Sequence, residues 1–281
     1  MSCQEMLRLG HSDVSYLVFN RVAAFDASQR LGLCIKASTL HSCAFKVRGV
    51  ATWEGRSRHL QSEAEIVDLI RLFLEPDLDQ LLAGVFFKKK GRLQKIRGFI
   101  CWFIYKTLSA FMQCSLGDEE GFNPNARPSV CYYPAILYHT GKKDKNLQKL
   151  LRMDEATTKR LYCGMAKKIW DMQLKPGPEG QPPRHFTFDS ITKLVQLAQT
   201  RIPCTVLAVD ESQDLTDCQI DWLYTQAKVH GIDVNFVGDP AQAIYSFSGA
   251  KVLSLLSLAL SLSISLSPST LSRRAYTRPL L

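Results

Sequence analysis

The spacing of apolar and polar positions changes twice along the chain. Residues 15–19 (SYLVF) form a short apolar run that stops at Asn20, the pattern of a buried strand ending at the edge of a site. Residues 21–30 read as a short helix, and residues 33–37 as a second strand that leads through STLHS into another helical stretch. Strand and helix in alternation predict a parallel sheet. Sheet spacing returns at residues 205–209, followed by a helix over 216–230 and a strand over 233–237.

Between these two stretches the spacing is helical. Ser62 and Glu65 form a capping box ahead of Ile66, Leu69, Ile70 and Phe73, and Pro76 is expected to end that helix. Ile96, Phe99, Ile100, Phe103, Ile104, Leu108 and Phe111 recur on one helical face, as expected of core packing. Residues 147–173 read as one or two helices carrying Trp170, while 117–134 and 175–183 read as loops from their Gly, Pro and Asn content. The pattern predicts an α/β fold whose parallel sheet is interrupted by a large α-helical insertion. The expected divisions are 1–54 (first part of the sheet domain), 55–200 (helical insertion), 201–250 (rest of the sheet domain) and 251–281, a low-complexity Ser/Leu tail.

Composition narrows the partners. A formal net charge of +9, from 35 Lys and Arg against 26 Asp and Glu, favours a polyanion, because surface cations attract phosphate and release its counterions. The basic clusters at 88–90 and 142–145 read first as solvated faces. Nine cysteines, scattered and never in C-x-x-C spacing, argue against a zinc site or a disulfide framework and for small buried hydrophobes in a reducing, intracellular setting. Residues 99–105, the most apolar internal run, are too short to span a bilayer, so no membrane partner is expected.

The chemistry concentrates where the second sheet stretch ends. In TVLAVDESQD an apolar run passes directly into Asp210 and Glu211, which places both acids at the carboxyl edge of a buried strand, where parallel sheets bind ligands. A nucleoside triphosphatase needs one carboxylate to hold Mg²⁺ through its water shell and another to orient and deprotonate the attacking water. Asp210 suits the first role and Glu211 the second, although acids at a strand end also serve simply to cap the next helix. Gln213 and Asp214 extend the pair, and a second strand then ends in GDPAQAIYSFSGA. That stretch offers a strand-end glycine, Gly238, and an amide, Gln242, able to reach a terminal phosphate. It also offers Tyr245 and Phe247, which could stack on unpaired bases or pack in a core.

DESQD and GDPAQAIYSFSGA resemble motifs II and III of the UvrD/Rep family of superfamily 1 DNA helicases. YLVFNRVAA resembles motif Ia and STLHS motif Ib; LVFN, the Thr-x-His-Ser run and HFTFDSITKLVQL look most like the F-box DNA helicases of eukaryotes. The resemblance spans roughly residues 14–250 and implies a RecA-like parallel sheet of the P-loop NTPase type. It implies ATP and Mg²⁺ as cofactors, with Asp210 binding the metal through water, Glu211 as catalytic base and Gln242 as γ-phosphate sensor. Gln213, Asp214, Gly238 and Asp239 would line the nucleotide. Phe19, Tyr245 and Phe247 would stack on single-stranded DNA, and Asn20, Thr39 and His41 would meet its backbone. Translocation along single strands, unwinding, DNA repair or recombination, and a nuclear location follow from the same resemblance. It leaves open whether proteins dock on the insertion.

The sequence departs from that family in three places. No G-x-x-x-x-G-K-[ST] occurs in it, and the spacing of strand, loop and helix would put the phosphate-binding lysine at or before Met1. Residues 253–267 (LSLLSLALSLSISLS) have no family counterpart, and no second motor domain with an arginine finger follows. Ser248 stands where the family usually has arginine. The expectation is a helicase incomplete at both ends that hydrolyses ATP at background rate by itself, since an arginine finger alone is worth about 10³ to 10⁵ in rate. The alternative is a non-catalytic module that binds single-stranded DNA.

Overall fold

The computed structural model describes residues 13–31, 35–47, 62–83, 90–117, 148–174 and 187–238. Four strands, β1 (Val14–Val18), β2 (Ile35–Thr39), β3 (Val206–Val209) and β4 (Asp233–Phe236), form one sheet in the order β2-β1-β3-β4. Every pairing is parallel, so the expected α/β fold of RecA-like type is what the chain adopts. β1 and β3 lie side by side although nearly two hundred residues separate them, with Val14 in register with Val206 and Leu17 with Val209. The helical stretch therefore leaves the sheet after β2 and returns to its middle.

Eight helices are described: α1 (Arg21–Leu31), α2 (Leu40–Val47), α3 (Glu63–Phe73), α4 (Glu75–Leu82), α5 (Lys90–Gln113), α6 (Glu155–Leu174), α7 (Phe188–Leu197) and α8 (Asp217–Lys228). Ser62 and Glu65 close the anticipated capping box on α3, and Thr187 with Ser190 and Thr216 with Gln219 do the same for α7 and α8. Pro76 corrects the expectation placed on it. It falls in the first turn of α4, where its missing N–H would have had no intrahelical partner, so it starts a helix as well as following one. The second strand, described over Ile35–Thr39, runs two residues past its expected end at 37, and Thr39 both ends it and caps α2; residues 33–34 lie outside the described residues.

Alternation along β1 and β3 sends side chains to two different cores. Leu17, Leu207 and Val209 face the larger one, which continues without interruption through the buried faces of α2, α3, α5, α6, α7 and α8. Its centre is aromatic: Phe111 meets Trp170 edge-on at 5.2 Å and Phe103 stacks on Tyr162 at 5.5 Å, joining α5 to α6. The predicted stripe on α5 is buried throughout except at Phe99, which is exposed. Val14, Ile35, Val206 and Ala208 face the other side with Tyr16 and Leu31, a thin cluster covered by α1. No described helix is long and apolar enough to cross a membrane.

Cys43, Cys101, Cys114, Cys163, Cys204 and Cys218 are free and buried, as expected of small hydrophobes. Burial pushes the thiol of Cys43 from 9.0 up to about 12 and that of Cys101 up to about 11, and raises Cys204 and Cys218 too. A folded-state value raised above the unfolded one means that the native state holds protons which the unfolded chain releases. Stability from these thiols is therefore complete below pH 9 and lost as the pH rises toward 11 to 12. Unfolding temperature should be flat from neutrality to about pH 9 and then fall, with a shallower fall in Cys43→Ala. A midpoint unchanged through pH ~10.5 would contradict the assignment.

Candidate functional site

The site is assembled at the carboxyl ends of β1, β2 and β3. β3 ends at Val209, and the next N–H, that of Asp210, still donates to Leu17 O at 2.8 Å, which holds Asp210 to the sheet. Its carboxylate is fixed at both oxygens. Oδ1 accepts the Glu211 N–H at 3.0 Å, and Oδ2 accepts the Tyr16 hydroxyl at 2.5 Å.

Glu211 adopts φ +51° and ψ +39°, the left-handed region that costs a side-chain-bearing residue roughly 1 to 2 kcal/mol. This reversal turns the chain off the strand into a single 3₁₀ turn, Ser212–Asp214. Gln213, buried in that turn, donates its side-chain amide to Glu211 Oε2 at 2.5 Å. Asp214 is buried within the same turn, and its N–H closes it on Glu211 O at 3.0 Å. Strained backbone plus a dedicated hydrogen bond aims the Glu211 carboxylate, an arrangement that a simple helix cap does not require.

The neighbouring strand is bound to this turn. Val237 N–H donates to Val209 O at 2.8 Å and Ser212 N–H to Val237 O at 3.0 Å, which presses Gly238 onto the turn. A Cβ at Gly238 would collide with Gln213 Oε1 and lie 2.6 Å from Ser212 Oγ. Only glycine lets the end of β4 approach so closely. Asp239, Gln242, Tyr245 and Phe247 lie outside the described residues, so the carboxylates are seen without the rest of that motif.

The carboxyl ends of β1 and β2 form the other half. An open groove of about 280 Å³ runs between α1 and α2, lined by Arg21, Phe25, Ser28, Ser38, Thr39, Ser42 and Lys46 among others. It carries two cations, several hydroxyls and one aromatic ring, with Phe25 68% exposed. Phe19 lies at the same edge and is 39% exposed. Asn20 and Thr39 each act as a helix cap: Asn20 Oδ1 accepts Ala23 N–H at 2.8 Å and Thr39 Oγ1 accepts Ser42 N–H at 3.2 Å. His41 turns toward α7, its ring 5.1 Å from that of Phe188 and its Nε2 3.8 Å from Asp189 Oδ1.

Sequence reasoning thus names the carboxylates but misses Tyr16, Phe25 and the cations of the groove. Tyr16 carries a signal, being the aromatic ring in a strand otherwise made of Val, Ser and Leu. Its meaning depends on β1 lying beside β3. Arg21 and Lys46 carry none beyond charge, because the register of α1 against α2 is needed to pair them.

Among known families, residues 130–262 match the UvrD/REP helicase N-terminal domain, a stretch that includes α6, α7, β3, α8 and β4. The F-box DNA helicase 1 of Gallus gallus is 28% identical over 175 residues, covering 59% of this chain and 16% of that protein. The F-box DNA helicase protein 1 of Schizosaccharomyces pombe is 24% identical over 243 residues, 85% of this chain and 24% of that protein. The chain spans no more than a quarter of either relative. The matched domain, the two relatives and the all-parallel sheet bear out the resemblance read from the motifs: over the matched stretch this chain is similar to the UvrD/REP helicases and to the F-box DNA helicases.

Proposed function

We propose that the chain supplies the carboxylate half of an ATP site and an adjoining track for single-stranded DNA, in a nuclear helicase acting in DNA repair or recombination. The observation that carries this reading is the pair Asp210 and Glu211. Each acid is held by its own hydrogen-bond donor at the carboxyl edge of the parallel sheet, one of them in strained backbone, and the same edge carries a basic groove at the end of β2.

The residues fit Mg²⁺ and ATP. Among the described residues no group of three or more His, Cys, Asp or Glu could hold a metal ion. A hard cation here would be shared between one carboxylate, water and phosphate oxygens, as is usual for Mg²⁺. Asp210 would hold it through water, and the ion would neutralise charge on the phosphates. Glu211 orients the attacking water and accepts its proton, with Gln213 fixing the carboxylate that does so. Gln213, Asp214, Gly238, Asp239 and Gln242 would line the nucleotide.

For the strand of DNA, Arg21 and Lys46 supply phosphate contacts, and Ser38 and Ser42 supply hydroxyl donors beside them. Phe25 and Phe19 offer ring faces to unpaired bases at the same edge, a sequence-tolerant mode of stacking. Asn20, Thr39 and His41 would meet the backbone, with Tyr245 and Phe247 extending the stacking surface. The chain hydrolyses ATP only at background rate on this reading, because no phosphate-cradling glycine loop with its lysine occurs in its sequence.

Photocrosslinking of a bromodeoxyuridine oligonucleotide, with the adducts mapped by mass spectrometry, traces the path of the strand. Adducts are expected in residues 19–28 and 37–46. Adducts confined to α3, α4 and α6 would place the DNA on the helical layer and overturn the proposed track.

A further inference from the structure

We infer that Tyr16 is the positioning residue for the metal-binding carboxylate, a role that rests on the proposed reading of Asp210. The argument begins with register. Tyr16 pairs with Ala208 across β1 and β3, and residues 208 and 210 point to the same face because side chains alternate along a strand. Tyr16 and Asp210 are thus diagonal neighbours, a separation that only a long side chain bridges. The tyrosine ring is itself anchored, packing against Val14, Ile35, Val206 and Ala208 in the smaller core, so its hydroxyl arrives at Asp210 Oδ2 from a fixed direction.

The choice of donor matters. A carboxylate at a strand end rotates about its terminal bond unless both oxygens are held. The Glu211 N–H holds Oδ1, and among the described residues Tyr16 is the donor that holds Oδ2. An arginine or lysine in place of Tyr16 would also fix the group, but would cancel the negative charge that attracts a cation. A phenol fixes orientation and leaves the charge. Each oxygen keeps a second lone pair for a metal-bound water. Outer partners that orient a ligand in this way typically change metal affinity about 10- to 100-fold when removed.

The test is a titration of the full 281-residue chain into Mn²⁺–ATP, with Mn²⁺ standing in for Mg²⁺ and ATP supplying the phosphate oxygens, reading protein-bound Mn²⁺ by water-proton relaxation enhancement and the unfolding midpoint in parallel. The wild-type chain should bind one Mn²⁺ that excess Mg²⁺ displaces, and Asp210→Asn should abolish it. Tyr16→Phe, which keeps the ring and its packing, should weaken Mn²⁺ by about tenfold. A purely structural tyrosine would shift the unfolding midpoint and leave the Mn²⁺ affinity where it was. If Asp210→Asn loses the ion while Tyr16→Phe binds it within twofold of wild type, the role of Tyr16 is refuted and the reading of Asp210 stands. If the wild-type chain holds no Asp210-dependent Mn²⁺, the metal assignment of Asp210 fails and the role of Tyr16 fails with it.

Discussion

Replacing Lys193 by methionine is expected to lower the stability of the folded chain by about 3 kcal/mol, and the unfolding temperature by roughly 5 to 10 °C. Lys193 lies on α7 and is 0% exposed. Its ammonium donates to Cys114 O at 2.9 Å and Leu116 O at 2.5 Å, and sits 4.5 Å from the centre of the Phe111 ring. These carbonyls lie in the turn that follows the end of α5 at Gln113, near the negative end of its dipole. One turn further along α7, Gln196 donates to Ser115 O at 3.0 Å and to Asp221 Oδ2 at 2.7 Å. At the start of α7, Asp189 accepts from Gln113 at 3.3 Å.

Three residues on one face of α7 therefore hold the C-terminus of the longest described helix and the turn that follows it. Methionine has the length of lysine but no donor, so the carbonyls would be buried without partners, at roughly 1 to 3 kcal/mol for each group left unmade. Removing a buried charge returns part of that, which is why the net loss is smaller than the sum. Arg30→Met, at an exposed pair with Asp26 on α1, should change stability by less than about 0.5 kcal/mol. Equal midpoints for Lys193→Met and wild type would show that α7 does not anchor α5.

Gly238→Ala is expected to cost about 2 kcal/mol and to release Gln213 from Glu211. The added methyl group would occupy the position of Gln213 Oε1 and crowd Ser212, whose N–H is already committed to Val237 O. The backbone cannot retreat without losing that bond, so the glutamine must. Thermal unfolding of the single and double variants reads the collision directly. Gln213→Ala makes room, and the Gly238→Ala, Gln213→Ala pair should be less destabilised than the sum of its parts by at least ~0.5 kcal/mol. Strict additivity would mean that the two residues do not collide.

How much of this was legible in the sequence follows from the range over which each feature acts. Short-range features were readable: the capping box of Ser62 and Glu65, the apolar run into Asp210 and Glu211, and the helical stripe of α5. Features that depend on distant partners were not. Lys193 in FDSITKLVQL looks like any solvated helix lysine, and its burial becomes visible only once the end of α5 is packed beside it. Tyr16 looks like a filler in a buried strand until β3 is placed next to β1. The contact of His41 with Phe188 and its approach to Asp189, some 150 residues further along the chain, likewise leave no mark in STLHS. The left-handed Glu211 left no trace, since nothing in its type favours that conformation.

We propose that the basic, hydroxyl-rich groove between α1 and α2 carries single-stranded DNA. The most direct measurement is fluorescence anisotropy of a dye-labelled oligothymidine titrated with the chain over a series of salt concentrations, for wild type, Arg21→Glu and Lys46→Glu. The account predicts binding at low salt that weakens linearly on a logarithmic plot. Each charge reversal should weaken it at least about tenfold and reduce the slope by about 0.7 for every single-strand phosphate that is no longer neutralised. The absence of salt-sensitive binding by the wild-type chain, or binding that both reversals leave unchanged, would contradict it.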